Sequence, residues 1–216
     1  TGAITLSYVG TGTTAYGPSA TPPTAAGTYT VTASVAADAT YNAASSSATA
    51  FTIGRKAASV TPAVASKTFG AVDPTLTGTL SGFVAADNVT ATYSRTAGET
   101  LAGSPYTISA TLSPAGALSN YTVTSNTANF TINTANPTIT VTPGTYTYSG
   151  VAQGPVAADV NTGGSAGTIT LSYVGTGTTV YGPSATAPTA AGTYTVTASV
   201  AADGTYNAAS SSATAF

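Results

Sequence analysis

The run Tyr29-Thr30-Val31-Thr32-Ala33-Ser34-Val35 returns unchanged at Tyr194-Thr195-Val196-Thr197-Ala198-Ser199-Val200, and both copies alternate residue by residue. In an extended chain Tyr, Val, Ala and Val fall on one side, while Thr and Ser fall on the other. This period of two marks a strand with one buried face, and a slip of one residue would exchange the faces. Tyr106-Thr107-Ile108-Ser109-Ala110-Thr111-Leu112 repeats the pattern, and Ile4, Leu6 and Tyr8 alternate with Thr5 and Ser7. Strand breakers punctuate these runs: Gly17-Pro18, Gly182-Pro183, Pro22-Pro23, Asp73-Pro74 and Asp203-Gly204. No stretch sustains a helical period of about 3.6 residues. Short strands at regular spacing with Gly and Pro between them predict sandwiches with Greek-key connections.

Outward from this run the repetition widens. Residues 1–51 recur at 166–216 with five differences: Thr1/Ala166, Ala3/Thr168, Ala15/Val180, Pro22/Ala187 and Ala39/Gly204. Near-identity of this kind is the mark of a recent duplication. A diverged unit lies between the copies. Thr92-Tyr93 matches Ser172-Tyr173, Tyr106-Thr107-Ile108 matches Tyr194-Thr195-Val196, Tyr121 matches Tyr206 and Phe130 matches Phe216. The offset of 165 residues thus holds two units, each of about 80 residues, a small β-sandwich size. The expected organisation is the C-terminal part of a type A repeat (1–53), a whole type B repeat (54–132) and a nearly complete type A repeat (133–216). Neither end of the sequence is expected to be a domain boundary. The junctions Phe51-Thr52-Ile53-Gly54 and Ile132-Asn133-Thr134-Ala135-Asn136-Pro137 are short, and Pro137 biases Asn136 towards extended backbone.

Composition narrows the function classes. Charged residues make up 5% of the chain and the net charge is −2, with all four cations (Arg55, Lys56, Lys67, Arg95) inside one window. That is too little positive charge to neutralise a nucleic-acid backbone. No apolar run reaches the roughly 18 residues of a membrane helix. Cys and His are absent, which removes disulfides, thiolate nucleophiles, the commonest general base and the usual zinc ligands. Abundant Thr, Val and Tyr make a strand composition.

The middle unit resembles the MBG-type Ig-like repeats of giant bacterial surface proteins. The motifs are Lys67-Thr68-Phe69-Gly70, Asp73-Pro74, Tyr93-Ser94-Arg95, Gly98-Glu99, Tyr106-Thr107-Ile108 and Asn120-Tyr121, closing on Phe130-Thr131-Ile132. The type A units are similar to a related bacterial Ig-like repeat, through Tyr146-Thr147-Tyr148-Ser149-Gly150, Ser172-Tyr173-Val174-Gly175 and Ala191-Gly192-Thr193-Tyr194. The resemblance implies surface exposure, tandem arrays and a role in adhesion, biofilm or filaments, and it brings no catalytic residues. The expected fold is all-β: tandem Ig-like Greek-key β-sandwich modules of about 80 residues arranged as a rod.

Candidate sites are few. For calcium, the candidates are Asp38 and Asp203, which are one position in two repeats, and Asp87. Hard cations want several oxygen ligands and no Asp-x-Asp cluster exists, so the competing reading is a turn-forming carboxylate. For a self-formed cross-link, Lys67 with Glu99 as the acid is the candidate, against a salt bridge among Lys67, Arg95, Glu99 and Asp73. Tyr16 and Tyr181, beside Gly-Pro, are the candidate loop aromatics for a sugar. The tyrosines at strand positions (Tyr93, Tyr106, Tyr121, Tyr173, Tyr194, Tyr206) are expected in the core or at its corners, where a ring with a hydroxyl handle fits.

The expected role is a non-enzymatic structural repeat of a secreted or surface-anchored bacterial protein, acting as a semi-rigid stalk. The alternatives are the building block of an extracellular filament or sheath, and a carbohydrate-binding module. No cofactor is expected apart from calcium. The expected partners are neighbouring repeats, other copies of the chain, and matrix polysaccharide held by domains outside this sequence. Nucleic acid and membrane insertion are not expected.

Overall fold

The computed structural model describes residues 2–216. The first repeat contributes β1 (Ile4–Gly10), β2 (Gly27–Val35), β3 (Ala44–Ser45) and β4 (Thr49–Ile53). The middle repeat contributes β5 (Lys56–Pro62), β6 (Ala65–Thr68), β7 (Gly78–Ser81), β8 (Thr90–Arg95), β9 (Tyr106–Ser113), β10 (Tyr121–Ser125) and β11 (Ala128–Asn133). From the last come β12 (Thr140–Val141), β13 (Val160–Asn161), β14 (Ile169–Gly175), β15 (Tyr194–Val200), β16 (Ala209–Ser210) and β17 (Thr214–Ala215). Among the described residues the remaining regular structure is three single-turn 3-10 segments, Ala85–Asp87, Ala117–Asn120 and Ala157–Asp159. The protein is all-β, and no helix is long and apolar enough to cross a membrane.

The chain gathers into two compact units, one of residues up to 63, 76–95 and 108–128, the other of residues 64–75, 96–107 and 129–216. In the first unit β1 and β2 pair antiparallel from Ile4↔Val35 to Gly10↔Tyr29. Strands β3 and β4 pair successive parts of the other edge of β2. A second sheet runs β10–β5–β7, with β10 parallel to β5 and β7 antiparallel. Strands β8 and β9 pair antiparallel from Thr90↔Ser113 to Arg95↔Ile108. Val60, Ile108 and Tyr121 are buried there.

In the second unit β6 lies parallel to β11, while Phe130 and Ile132 of β11 are buried. Strands β14 and β15 pair from Ile169↔Val200 to Gly175↔Tyr194, the register of β1 and β2 moved by one repeat. Opposite them, β12 pairs with β13. Ile139, Val141, Tyr173, Val196, Ala198 and Val200 close the core between these two layers, and Val160, Ile169 and Leu171 pack against it. This is sheet-on-sheet packing, in which inward residues alternate with outward ones. The run Tyr194–Val200 shows that alternation: its Tyr, Val and Ala residues are buried and its Thr and Ser residues half-buried.

The same run in β2 is less covered. Val31, Ala33 and Val35 are half-buried, Ile4 is 74% exposed and Leu6 is 42% exposed. Sequence and register are shared, so the difference lies in what packs on the sheet. Strands β12 and β13 cover the second copy, and no equivalent strands lie on the first among the described residues.

Candidate functional site

The two repeat-related aspartates build the same turn. Asp38 accepts the Thr40 and Tyr41 N–H groups, both at 2.8 Å. Asp203 accepts those of Thr205 and Tyr206, both at 2.7 Å. Its second oxygen also takes the Ala166 N–H at 2.7 Å and the Ser165 hydroxyl at 2.9 Å. The Tyr206, Thr205 and Ala166 N–H donors lower the Asp203 pKa to about 2, since bonds to the charged form favour it. Asp38 is shifted down by its Thr40 and Tyr41 bonds. Asp87, the third calcium candidate, accepts the Tyr121 hydroxyl, which also accepts the Val84 N–H at 2.8 Å. That carboxylate raises the Tyr121 pKa. No group of three or more His, Cys, Asp or Glu gathers among the described residues.

Lys67, at the end of β6, is brought to two carboxylates. Its Nζ lies 2.7 Å from Asp73 Oδ1 and 2.5 Å from Glu99 Oε2. The lysine side chain is 6% exposed and that of Glu99 is 62% exposed, so the ammonium is shielded while one partner faces water. Asp73 and then Glu99 raise the lysine pKa. A protonated amine is not a nucleophile, so the geometry favours the ion pair over amide formation.

Of the strand tyrosines, Tyr106, Tyr121, Tyr173 and Tyr194 are buried, and Tyr93 and Tyr206 are half-buried. Their hydroxyls tie strands to loops: Tyr194 donates to Ala190 O at 2.7 Å, Tyr106 to Thr100 O at 3.0 Å and Tyr173 to Pro155 O at 2.5 Å. The loop tyrosines behave alike. Tyr181 sets its ring edge-on to Tyr194 at 5.8 Å and donates to Thr186 O at 2.6 Å. Tyr16 repeats this with Tyr29 at 5.9 Å and Thr21 O at 2.6 Å. The loop carrying Tyr181 folds tightly onto β14: at Gly182, φ is +70° and a Cβ would stand 2.1 Å from Tyr173 O. Both rings are half-buried.

A groove of about 350 Å³ in the second unit was not foreseen. Tyr146, Tyr148, Gln153, Pro188, Tyr194 and Phe216 are among its lining residues. Phe216 stacks on Tyr194 at 5.7 Å and meets Tyr146 edge-on at 5.7 Å, while Tyr148 is 70% exposed. The Tyr-x-Tyr spacing of Tyr146 and Tyr148 was its signal in the sequence.

Polar contacts also tie the segment that links the middle and last repeats to the last repeat. Within the second unit, Ala135 donates to Thr205 O at 3.1 Å and accepts the Asn207 N–H at 2.8 Å. Thr134 Oγ1 donates to Asn207 Oδ1 at 2.7 Å, and Asn207 Nδ2 donates to Asn136 Oδ1 at 2.6 Å. Phe69 of the middle repeat meets Tyr206 of the last edge-on at 5.9 Å. Within the first unit, Asn120 Oδ1 of the middle repeat accepts the Ala26 N–H of the first at 2.9 Å. Sequence reasoning missed these roles. Asn207 and Asn120 stand beside tyrosines already read as structural, and nothing in a single sequence shows which loop meets the neighbouring repeat.

The fold is all-β and two of its sheets share one repeated sequence and register. Residues 58–131 match the MBG domain, YGX type, so the middle repeat is the MBG-type unit that its motifs resemble. No curated protein and no solved structure matches the chain.

Proposed function

We propose that this chain is a structural repeat segment of a large secreted or surface-anchored bacterial protein, serving as a semi-rigid stalk or spacer in adhesion or biofilm. Its work is mechanical and non-catalytic. The observation that carries this reading is the contact between consecutive repeats: Phe69 of the middle repeat sets its ring against Tyr206 of the last, and Asn120 Oδ1 of the middle repeat accepts the Ala26 N–H of the first, while Asn207 bonds the linking residues Thr134 and Asn136. Flexible tethers are solvated and make few contacts, whereas here residues of neighbouring repeats touch and the segment linking the middle and last repeats is itself hydrogen-bonded. Each neutral hydrogen bond adds roughly 0.5–1.5 kcal/mol and an aromatic pair about 1 kcal/mol. That is enough to bias the joint towards one angle without welding it. The MBG match supports membership of a repeat array.

Electron microscopy of the native full-length protein tests the reading. Isolated thin rods with a distinct tip support a spacer. Ordered fibres whose axial repeat is built from contacts between different chains contradict it, and make the repeats themselves the assembling element.

A further inference from the structure

The two joints in this chain use residues that the repeat types do not share. At the first joint the type A repeat supplies a donor and the type B repeat an acceptor, the Ala26 N–H meeting Asn120 Oδ1 at 2.9 Å. Ala26 stands three residues before the strand tyrosine Tyr29, and Gly103 stands three before Tyr106 in type B. The Gly103 N–H already donates within its own repeat, to Thr100 Oγ1 at 3.2 Å. The acceptor is equally particular to type B. Tyr121 and Tyr206 hold one position, since each pairs in parallel with the residue three beyond the isoleucine that closes the preceding repeat: Lys56 after Ile53, and Ala135 after Ile132. The residue before that tyrosine is Asn120 in type B but Thr40 or Thr205 in type A, whose hydroxyl sits one bond nearer the backbone.

At the second joint the roles are exchanged. Type B supplies a ring, Phe69, to Tyr206 of the type A repeat at 5.9 Å. Type A has Ser149 at that position, followed by a glycine of the same backbone form, with φ +78° at Gly150 and +79° at Gly70. The matching tyrosine of type B has less to gain from such a ring, because Phe83 of the same repeat already packs on Tyr121 at 4.9 Å.

We infer that the joints select the neighbour: a type A repeat is built to be followed by type B, and type B by type A. An A–A joint would set Ser149 and Thr205 where the ring and the amide acceptor are needed. A B–B joint would offer an N–H and a tyrosine ring already engaged within their own repeats. Specificity is a difference between right and wrong partners, and each joint has one contact that only the unlike pair completes. The inference rests on the stalk reading in one respect, that the joints are held rather than flexible.

The test keeps the whole 216-residue chain and gives the middle repeat type A residues at its joints, Asn120→Thr at the first and Phe69→Ser at the second. Single-molecule energy transfer is read across each joint. The labels sit at Ala20→Cys and Ala86→Cys for the first and at Ala71→Cys and Ala185→Cys for the second, all exposed positions. Each type A residue should broaden the distance distribution across its own joint by at least about twofold, towards that of a flexible linker, and leave the other joint as in the parent. Asn120→Asp keeps an acceptor oxygen and Phe69→Tyr keeps a ring, so both should retain the parent distribution. Narrow parent joints that stay narrow with Asn120→Thr and Phe69→Ser overturn the inference and leave the stalk standing. Equal broadening by the Asp and Tyr variants also overturns it, and joints already broad in the parent overturn the inference and the stalk together.

Discussion

Asp203 and Asp38 occupy one position in two copies, and their surroundings set them apart. Both accept the N–H groups two and three residues further on, while Asp203 also receives Ser165 and Ala166. Asp203→Asn would present an amide N–H₂ where one oxygen now accepts both, so the variant is expected to melt at a lower temperature than the parent at pH 7. Because folding lowers this pKa from about 3.9 to about 2, the carboxylate stabilises the fold above the ordinary value. That contribution fades as pH falls through this window. The melting difference should therefore close between about pH 4 and pH 2, measured by thermal denaturation across a pH series. Lys67 has the opposite sign. Its pKa is raised, so its stabilisation is present at neutral pH and lost as pH climbs beyond about 10.4. Lys67→Met should lower the melting temperature at pH 7, and the gap should close in strong alkali. At this scale the sequence was only partly legible. The turn role of the aspartates follows from their neighbours and Asp73 and Glu99 were the expected partners of Lys67, but the Ser165 and Ala166 donors that Asp203 also receives come from a distant part of the chain.

At the scale of the element, β2 and β15 separate intrinsic pattern from tertiary environment. The alternation that names the strand and fixes its register is local, so it could be read from Tyr29–Val35 and Tyr194–Val200 alone. Burial is not local. Val196 is fully buried and Val31 half-buried in the same sequence context, because β12 packs only on the second copy among the described residues. Val196→Ala should cost roughly 2–3 kcal/mol through lost burial and a residual cavity. Val31→Ala should cost less than half of that. Urea unfolding of the two variants against the parent decides the point, and equal costs would mean that the sheets are equally covered. The Tyr146–Tyr148 stretch shows the limit of pattern reading from the other side. Its aromatic alternation resembles a strand, yet these residues line a groove and pair in no sheet.

For the whole molecule, the repeat arithmetic and the all-β class were open to sequence, because duplication and alternation are visible in one dimension. The junction chemistry was not, since Asn120 and Phe69 gain their meaning from the repeat next door. Phe69→Ala should leave each repeat folded, with a stability loss of about 1–2 kcal/mol, while freeing the joint between the middle and last repeats. The central claim is that consecutive repeats are held at a preferred angle. The chain has no cysteine, so Ala71→Cys in the middle repeat and Ala185→Cys in the last provide two unique, exposed labelling points within the second unit. The decisive measurement is the single-molecule energy-transfer distribution between them. The account predicts one narrow distance population that broadens in the Phe69→Ala variant; a broad, coil-like distribution in the parent, unchanged by that substitution, would contradict it.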